Sequence, residues 1–174
     1  MFEITIAKAQ DFDEIYSMYT RVCKELETSP FSPHWEIDVY PNREDITGLI
    51  NRGEMIICKK NNKIVGAVAV YNGSLESEST EPLEDGEPGE NESGIRLFAV
   101  HPEFRGIGVS NAMLDYAKTL TRSRGHKALV LTVAIGNSPA ENLYRRNGFA
   151  FLRETLLYFH SAEGDPYYVC RYEV

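Results

Sequence analysis

VHPEFRGIGVSNAML, residues 100–114, is the stretch on which the reading of the whole chain turns. A strand-like run ends at Pro102, Arg105 follows, and Gly106 and Gly108 stand directly before a run with helical spacing. Ordered glycine costs backbone entropy, so a pair placed this closely calls for a reason. One reason is anion binding. The first turn of a helix leaves N–H groups without internal acceptors, and the helix dipole favours a negative group there, phosphate above all. Glycines allow the positive φ that lets such N–H groups converge, and they keep side chains out of the way. Arg105 adds a planar cation. The other reason is a tight strand-to-helix turn with no ligand, and the glycines alone leave both open. The pattern is not a Rossmann fingerprint, whose third glycine would fall at Asn111, nor a P-loop, which needs Gly-Lys-Ser/Thr.

Outward from this turn the chain alternates strand and helix signals. IRLFAV (95–100) leads into it, and Val109, Ala112, Met113, Tyr116, Ala117 and Leu120 mark an amphipathic helix that Gly125 closes. ALVLTVAI (128–135) is nearly all apolar, as a strand covered on both faces should be. A short helix over 139–147 ends at Gly148, and two long β segments, FAFLRETLLYF and PYYVCRYEV, complete the chain. Upstream, FEITIAK (2–8) alternates like a strand. Asp11 is the expected N-cap of a helix with the stripe Ile15, Met18, Tyr19, Val22, Cys23 and Leu26, stopped by Ser29-Pro30. A loop carrying Trp35 and Tyr40 precedes a helix over about 43–51, and MIICKK and KIVGAVAVY flank an Asn61-Asn62 hairpin turn. The expected order is β-α-α-β-β-β-α-β-α-β-β, a mixed α/β domain spanning 1–174.

Residues 76–92, ESESTEPLEDGEPGENE, hold eight acids and no base, while the rest of the chain balances 18 acids against 18 Lys plus Arg. Residues 73–94 have too few apolar anchors to offset ordering entropy and read as a flexible acidic loop inside one domain. Its plain reading is a solubilising excursion; its charge would also attract a cationic acceptor. With no basic surplus, nucleic acid is not an expected partner. No apolar run approaches the ~20 residues of a membrane span, and MFEITIAKAQ has no basic region ahead of an apolar one, so a cytoplasmic protein without a membrane partner is expected. Cys23, Cys58 and Cys170 are scattered, as are the four histidines; buried free thiols and no metal are the expectation.

At Arg105-Gly106-Ile107-Gly108-Val109-Ser110 the sequence resembles the GCN5-related N-acetyltransferase (GNAT) family, whose signature is Gln/Arg-x-x-Gly-x-Gly/Ala. Ser110 departs from the usual small residue but remains small. A second block, NSPAENLYRRNGF (137–149), places Asn137, Ala140, Tyr144, Gly148 and Phe149 in register with the family's Asn-x-x-Ala-x-x-x-Tyr-x-x-x-Gly-Phe.

The resemblance implies a fold and a chemistry. The fold is a mixed, mostly antiparallel sheet of about seven strands, with strands 4 and 5 splayed at a bulge, flanked by about four helices. The chemistry is acetyl transfer from acetyl-CoA to an amine of a small molecule or peptide, without a metal. It implies that Phe98, Ala99 and Val100 pair with the pantetheine arm, that Arg105 to Ser110 take the pyrophosphate, and that Asn137 and Ala140 contact the coenzyme from the other side. Tyr144 matches the general acid that protonates the departing thiolate; a packed helix aromatic is the plainer reading. The base is harder to name. Many relatives use a strand-four glutamate, but Gly94 precedes Ile95 here, and Glu92 is the nearest carboxylate. Trp35, Tyr40, Tyr158 and Tyr167 are candidate walls of the amine pocket, with the core as their commoner fate. His101 carries no expected role beyond the turn at Pro102. A homodimer is common among similar proteins. Two other readings stay open, a non-catalytic acyl-CoA-binding sensor and transfer to a hydroxyl.

Overall fold

The structure, a computed structural model, describes residues 1–73, 88–158 and 163–174. Most of the acidic stretch, residues 76–87, lies outside the described residues. The elements are β1 (Glu3–Ile6), α1 (Phe12–Leu26), α2 (Arg43–Asn51), β2 (Met55–Lys60), β3 (Lys63–Asn72), β4 (Glu92–Val100), α3 (Val109–Ser123), β5 (Ala128–Ala134), α4 (Ser138–Arg146), β6 (Ala150–Leu157) and β7 (Asp165–Glu173). The strands form a seven-stranded sheet in the order β1-β2-β3-β4-β5-β7-β6. The β4–β5 pair is parallel, and the β1–β2, β2–β3, β5–β7 and β6–β7 pairs are antiparallel. This is the mixed, mostly antiparallel sheet with four helices that the resemblance implies. The chain divides into two compact units, residues 1–70 with 96–117, and residues 71–95 with 118–174.

The first unit is built on the stripe read from α1. Ile15, Met18, Tyr19 and Val22 pack with Ile46, Leu49 and Ile50 of α2 over Met55, Ile57, Ala67, Ala69, Leu97 and Ala99 of the strands. Each Val, Leu, Ile or Met among them contributes roughly 1.5–3 kcal/mol on burial. Asp11 stands at the N-cap of α1 without capping it. Its carboxylate instead accepts the Lys8 amide at 2.9 Å and pairs with Lys59 Nζ at 2.8 Å, which ties the helix start to β2. Asn42 does cap α2: it accepts the Asp45 amide at 2.9 Å, and Asp45 returns the bond to the Asn42 amide at 2.8 Å. Asn61 and Asn62 both take positive φ, as the tight β2–β3 turn demands.

In the second unit β5 is buried along most of its length and pairs with β7 from Ala128↔Glu173 to Ala134↔Tyr167. Its ladder with β4 runs from Glu92↔Ala128 to Ile95↔Leu131 and ends there. β4 starts three residues before the expected IRLFAV because Glu92, Ser93 and Gly94 pair with Ala128, Leu129 and Val130 of β5. Lys118 Nζ donates to Asn147 O at 2.8 Å and lies 4.4 Å from the centre of the Tyr172 ring, holding the end of α4 to the sheet.

Candidate active site

In the first unit the turn after β4 has the geometry its glycines foretold. A short 3-10 turn over Pro102–Phe104 is capped by His101, whose Nδ1 accepts the Glu103 amide at 3.3 Å. Gly106 has φ 77° and Gly108 φ 93°, left-handed values that side chains resist. A Cβ at Gly106 would find open space, so at this position the need is for φ alone. The Ala112 amide donates to Gly108 O at 3.1 Å, opening the helical ladder of α3. Amides ahead of that bond have no acceptor within the helix. Val109 is buried, Ser110 is half-buried and Ile107 is exposed. The Val109 side chain thus belongs to the core and that of Ile107 to the surface. Arg105 is exposed, and its guanidinium is hydrogen-bonded to the carboxylate of Glu25, near the end of α1. One helical turn earlier, Arg21 pairs with Glu103 at 3.5 Å. Two ion pairs thus fasten the stem of this turn to α1.

Along β4 in the same unit, Ala99 is buried while Phe98 and Val100 are half-buried. Trp35 and Tyr40 are partly buried against the core, and Trp35 meets Tyr19 edge-on at 6.1 Å. Gly66 of β3 lies beneath α3: a Cβ there would stand 2.6 Å from Met113 Sδ and 3.0 Å from Val109 Cγ1. The spacing of KIVGAVAVY gave no hint of this approach.

In the second unit Asn137 caps α4, its side chain accepting the Ala140 amide at 3.4 Å. Asn137 and Ala140, matched together in sequence, are thereby joined in space. Gly136, with φ 93°, donates its amide to Glu141 Oε1 at 2.9 Å and completes the helix start. Tyr144 is buried on α4, edge-on to Phe149 at 5.6 Å. Burial, with the Cys170 thiol nearby, raises its pKa far above the ordinary phenol value, so it holds its proton at any physiological pH. Tyr167 is buried with Ala134 and Leu157 and is pushed up to about 12, whereas Tyr158 is 59% exposed. As pocket walls the two differ in kind: Tyr167 belongs to a core cluster, Tyr158 to the surface.

Glu92 is not the solvated loop end that its sequence context suggests. It is buried, accepts a hydrogen bond from Arg171 Nη1 at 2.5 Å and from the Gly89 amide at 2.9 Å, and has Lys127 Nζ at 3.9 Å. Burial pulls its pKa up, but the Arg171 and Gly89 hydrogen bonds and the two cations together outweigh it and leave the carboxyl below its usual value. Such a carboxylate is a poor proton acceptor. At Gly94 a side chain has no room, since a Cβ would lie 2.4 Å from Tyr71 Cζ. Among the described residues, no three His, Cys, Asp or Glu side chains gather as a metal site would require.

The sequence profile of the "Acetyltransferase (GNAT) family" matches residues 15–149. A mycothiol acetyltransferase of Cellulomonas flavigena is 27% identical over 113 residues, covering 64% of this chain and 30% of that relative. A streptothricin acetyltransferase of Streptomyces lavendulae is 37% identical over 73 residues, 41% of this chain and 39% of the relative. The matched part thus spans less than half the length of either. Among solved structures, the PaiA N-acetyltransferase of Thermoplasma acidophilum in complex with coenzyme A superposes with a TM-score of 0.73 at 14% identity, over 100% of this chain and 99% of that one. With a profile that covers most of the sequence, a fold shared end to end and both sequence blocks in place, the chain belongs to the GNAT acetyltransferase family.

Proposed function

We propose that this protein is an acetyl-CoA-dependent N-acetyltransferase that moves an acetyl group to a primary amine of a small molecule or peptide by direct attack, in the cytoplasm. One observation carries the reading: Gly106 and Gly108 take left-handed φ at the mouth of α3, leaving an open corner beside backbone amides and Arg105. That corner suits a diphosphate. The names of the two sequence relatives support acyl transfer.

When bound, acetyl-CoA supplies an activated acyl carbon and a thiolate leaving group. The chain's own residues do the rest. The Arg105 guanidinium and the amides from Gly106 to Ser110 bind the diphosphate, the Arg105 amide being taken by Pro102 O at 3.3 Å, and the backbone of Phe98, Ala99 and Val100 orients the arm. Asn137 and Ala140 set the start of the helix that carries Tyr144. Tyr144 holds a proton on its hydroxyl and offers it to the leaving sulfur. From reference pKa values near 10 and 8.5, full transfer is uphill by about 2 kcal/mol, and the raised pKa of Tyr144 adds to that. The hydroxyl therefore works first as a hydrogen-bond donor to the developing thiolate.

Removing the ammonium proton from an alkylamine at pH 7 costs about 4–5 kcal/mol, and the carboxylate nearest in sequence, Glu92, is committed to Arg171. This favours water as the immediate proton acceptor, and it also keeps a second reading in play, a sensor that binds acyl-CoA without turnover. Thiol release from acetyl-CoA across a panel of amines separates the two. Turnover with any amine supports the enzyme; calorimetric binding of the coenzyme with no turnover supports the sensor; no binding at all ends both.

A further inference from the structure

Leu97 lies in the middle of β4 yet has φ 53°, a left-handed conformation that a branched aliphatic residue adopts only when its surroundings hold it there. Its carbonyl accepts a hydrogen bond from Tyr19 Oη at 2.5 Å, reaching across from α1. Both residues are buried, Tyr19 completely, in the core of the first unit. The Tyr19 ring is seated by the edge of Trp35, which comes from the loop after α1. The kink falls two residues beyond Ile95, the last residue of β4 to pair with β5. A regular strand would direct the Leu97 carbonyl to a neighbouring strand; here a side chain takes it. The rotation of that one peptide decides which way the backbone of the following residues faces, and those are Phe98, Ala99 and Val100.

We propose that Tyr19 is a positioning residue for acyl transfer: its hydroxyl holds the Leu97 carbonyl and so aims the β4 backbone at the acyl end of the coenzyme. This rests on the acetyltransferase reading above. A side chain filling space alone would need only the ring, whereas the hydroxyl is placed on the one strained carbonyl of the strand. Burial keeps the phenol protonated and therefore always a donor.

Tyr19→Phe retains the ring and deletes the donor. The test compares wild type and Tyr19→Phe by infrared difference spectroscopy with acetyl-CoA carrying a ¹³C carbonyl, and by calorimetry with coenzyme A, which lacks the acyl group. In wild type the bound carbonyl band moves to lower frequency. In the variant at least half of that shift is lost, while affinity for coenzyme A falls no more than about fivefold, because the β4 contacts to the arm weaken but the diphosphate corner is untouched. An unchanged band in the variant overturns the proposal and leaves the acetyltransferase reading standing. A larger loss of coenzyme A affinity also overturns it, since the role is then a general one in shaping the fold. Should the variant be unfolded alone, saturating coenzyme A restores the native state by mass action and the band is read on that complex; failure to recover marks a purely structural hydroxyl and overturns the proposal. If wild type binds no coenzyme, the acetyltransferase reading fails first and this proposal falls with it.

Discussion

Gly66 on β3 lies so close to α3 that a Cβ on it would stand 2.6 Å from the sulfur of Met113. The same atom would be 3.0 Å from Val109 Cγ1 and 3.3 Å from the Ala99 carbonyl oxygen. Met113 can swing its thioether away, but Val109 opens α3 and the Ala99 carbonyl is backbone. The first turn of α3 thus rests on a missing side chain. Gly66→Ala is expected to cost about 1–3 kcal/mol of stability, as overpacking does, and to weaken coenzyme A binding several-fold by tilting the helix start. Thermal melts and calorimetry on the same preparation check both halves.

Arg105 shares its guanidinium between two uses, the ion pair with Glu25 and the proposed diphosphate. Both partners are roughly half exposed, so the pair itself contributes well under about 1 kcal/mol. Glu25→Gln should leave the melting temperature nearly unchanged. It should tighten coenzyme A about two- to fivefold at low ionic strength, with the gain fading as salt rises. Weaker binding by Glu25→Gln in the calorimeter would show instead that Glu25 orients Arg105.

Tyr144→Phe removes the proposed proton donor and keeps the ring against Phe149. At saturating substrates kcat is expected to fall at least about tenfold with KM for acetyl-CoA little altered, the pattern of an interaction made only in the transition state. Steady-state kinetics with any accepted amine decides it. A wild-type kcat would return Tyr144 to the helix packing.

Glu92 gives the protein an acid-sensitive joint. Its folded pKa is lowered from an ordinary 4.5, so it binds a proton less readily folded than unfolded. The stability it contributes is complete above the unfolded value and is lost as pH falls through the folded one, that is, below about 4.5. Glu92→Gln should cost about 1–3 kcal/mol at pH 7 and flatten the acid limb of the stability curve. Denaturant melts from pH 3 to 7 measure the difference. With Glu92 held by Arg171, kcat of the folded variant should persist; its collapse at neutral pH would restore Glu92 as the base.

Burial lifts the thiols of Cys23 and Cys58 to about 11 and that of Cys170 to about 12. At pH 8 all three are protonated and enclosed. An aromatic disulfide reagent should therefore label the native chain very slowly and all three sites at once in denaturant. A fast-reacting native thiol would contradict the burial.

Much of this molecule is written locally. The α1 stripe, the Asn61-Asn62 turn, Gly125 and Gly148 as helix stops and the left-handed pair Gly106 and Gly108 all follow from spacings within a few residues, and each stands where the pattern places it. Such features depend on one turn of helix or one pleat of strand, and neighbouring residues suffice to specify them. The two sequence blocks went further and marked the family. Asp11 shows the limit even at short range: its place at a helix start was legible, but Lys59, 48 residues on, claims its carboxylate.

What only the tertiary structure decided lies in contacts across long stretches of chain. Tyr19 reaches Leu97 over 78 residues, Arg171 turns Glu92 from a loop end into a buried ion-pair partner over 79, and Met113 explains why position 66 carries no side chain. None of these pairs has a spacing that a sequence could advertise, because which residues meet depends on strand order and register. The amino-acid pattern by itself determined the elements, the glycine turn and the family. The folded packing determined which hydroxyl holds the kinked strand and which carboxylate is spent on a cation, since burial and distance, which set those energies, exist only once the chain is folded.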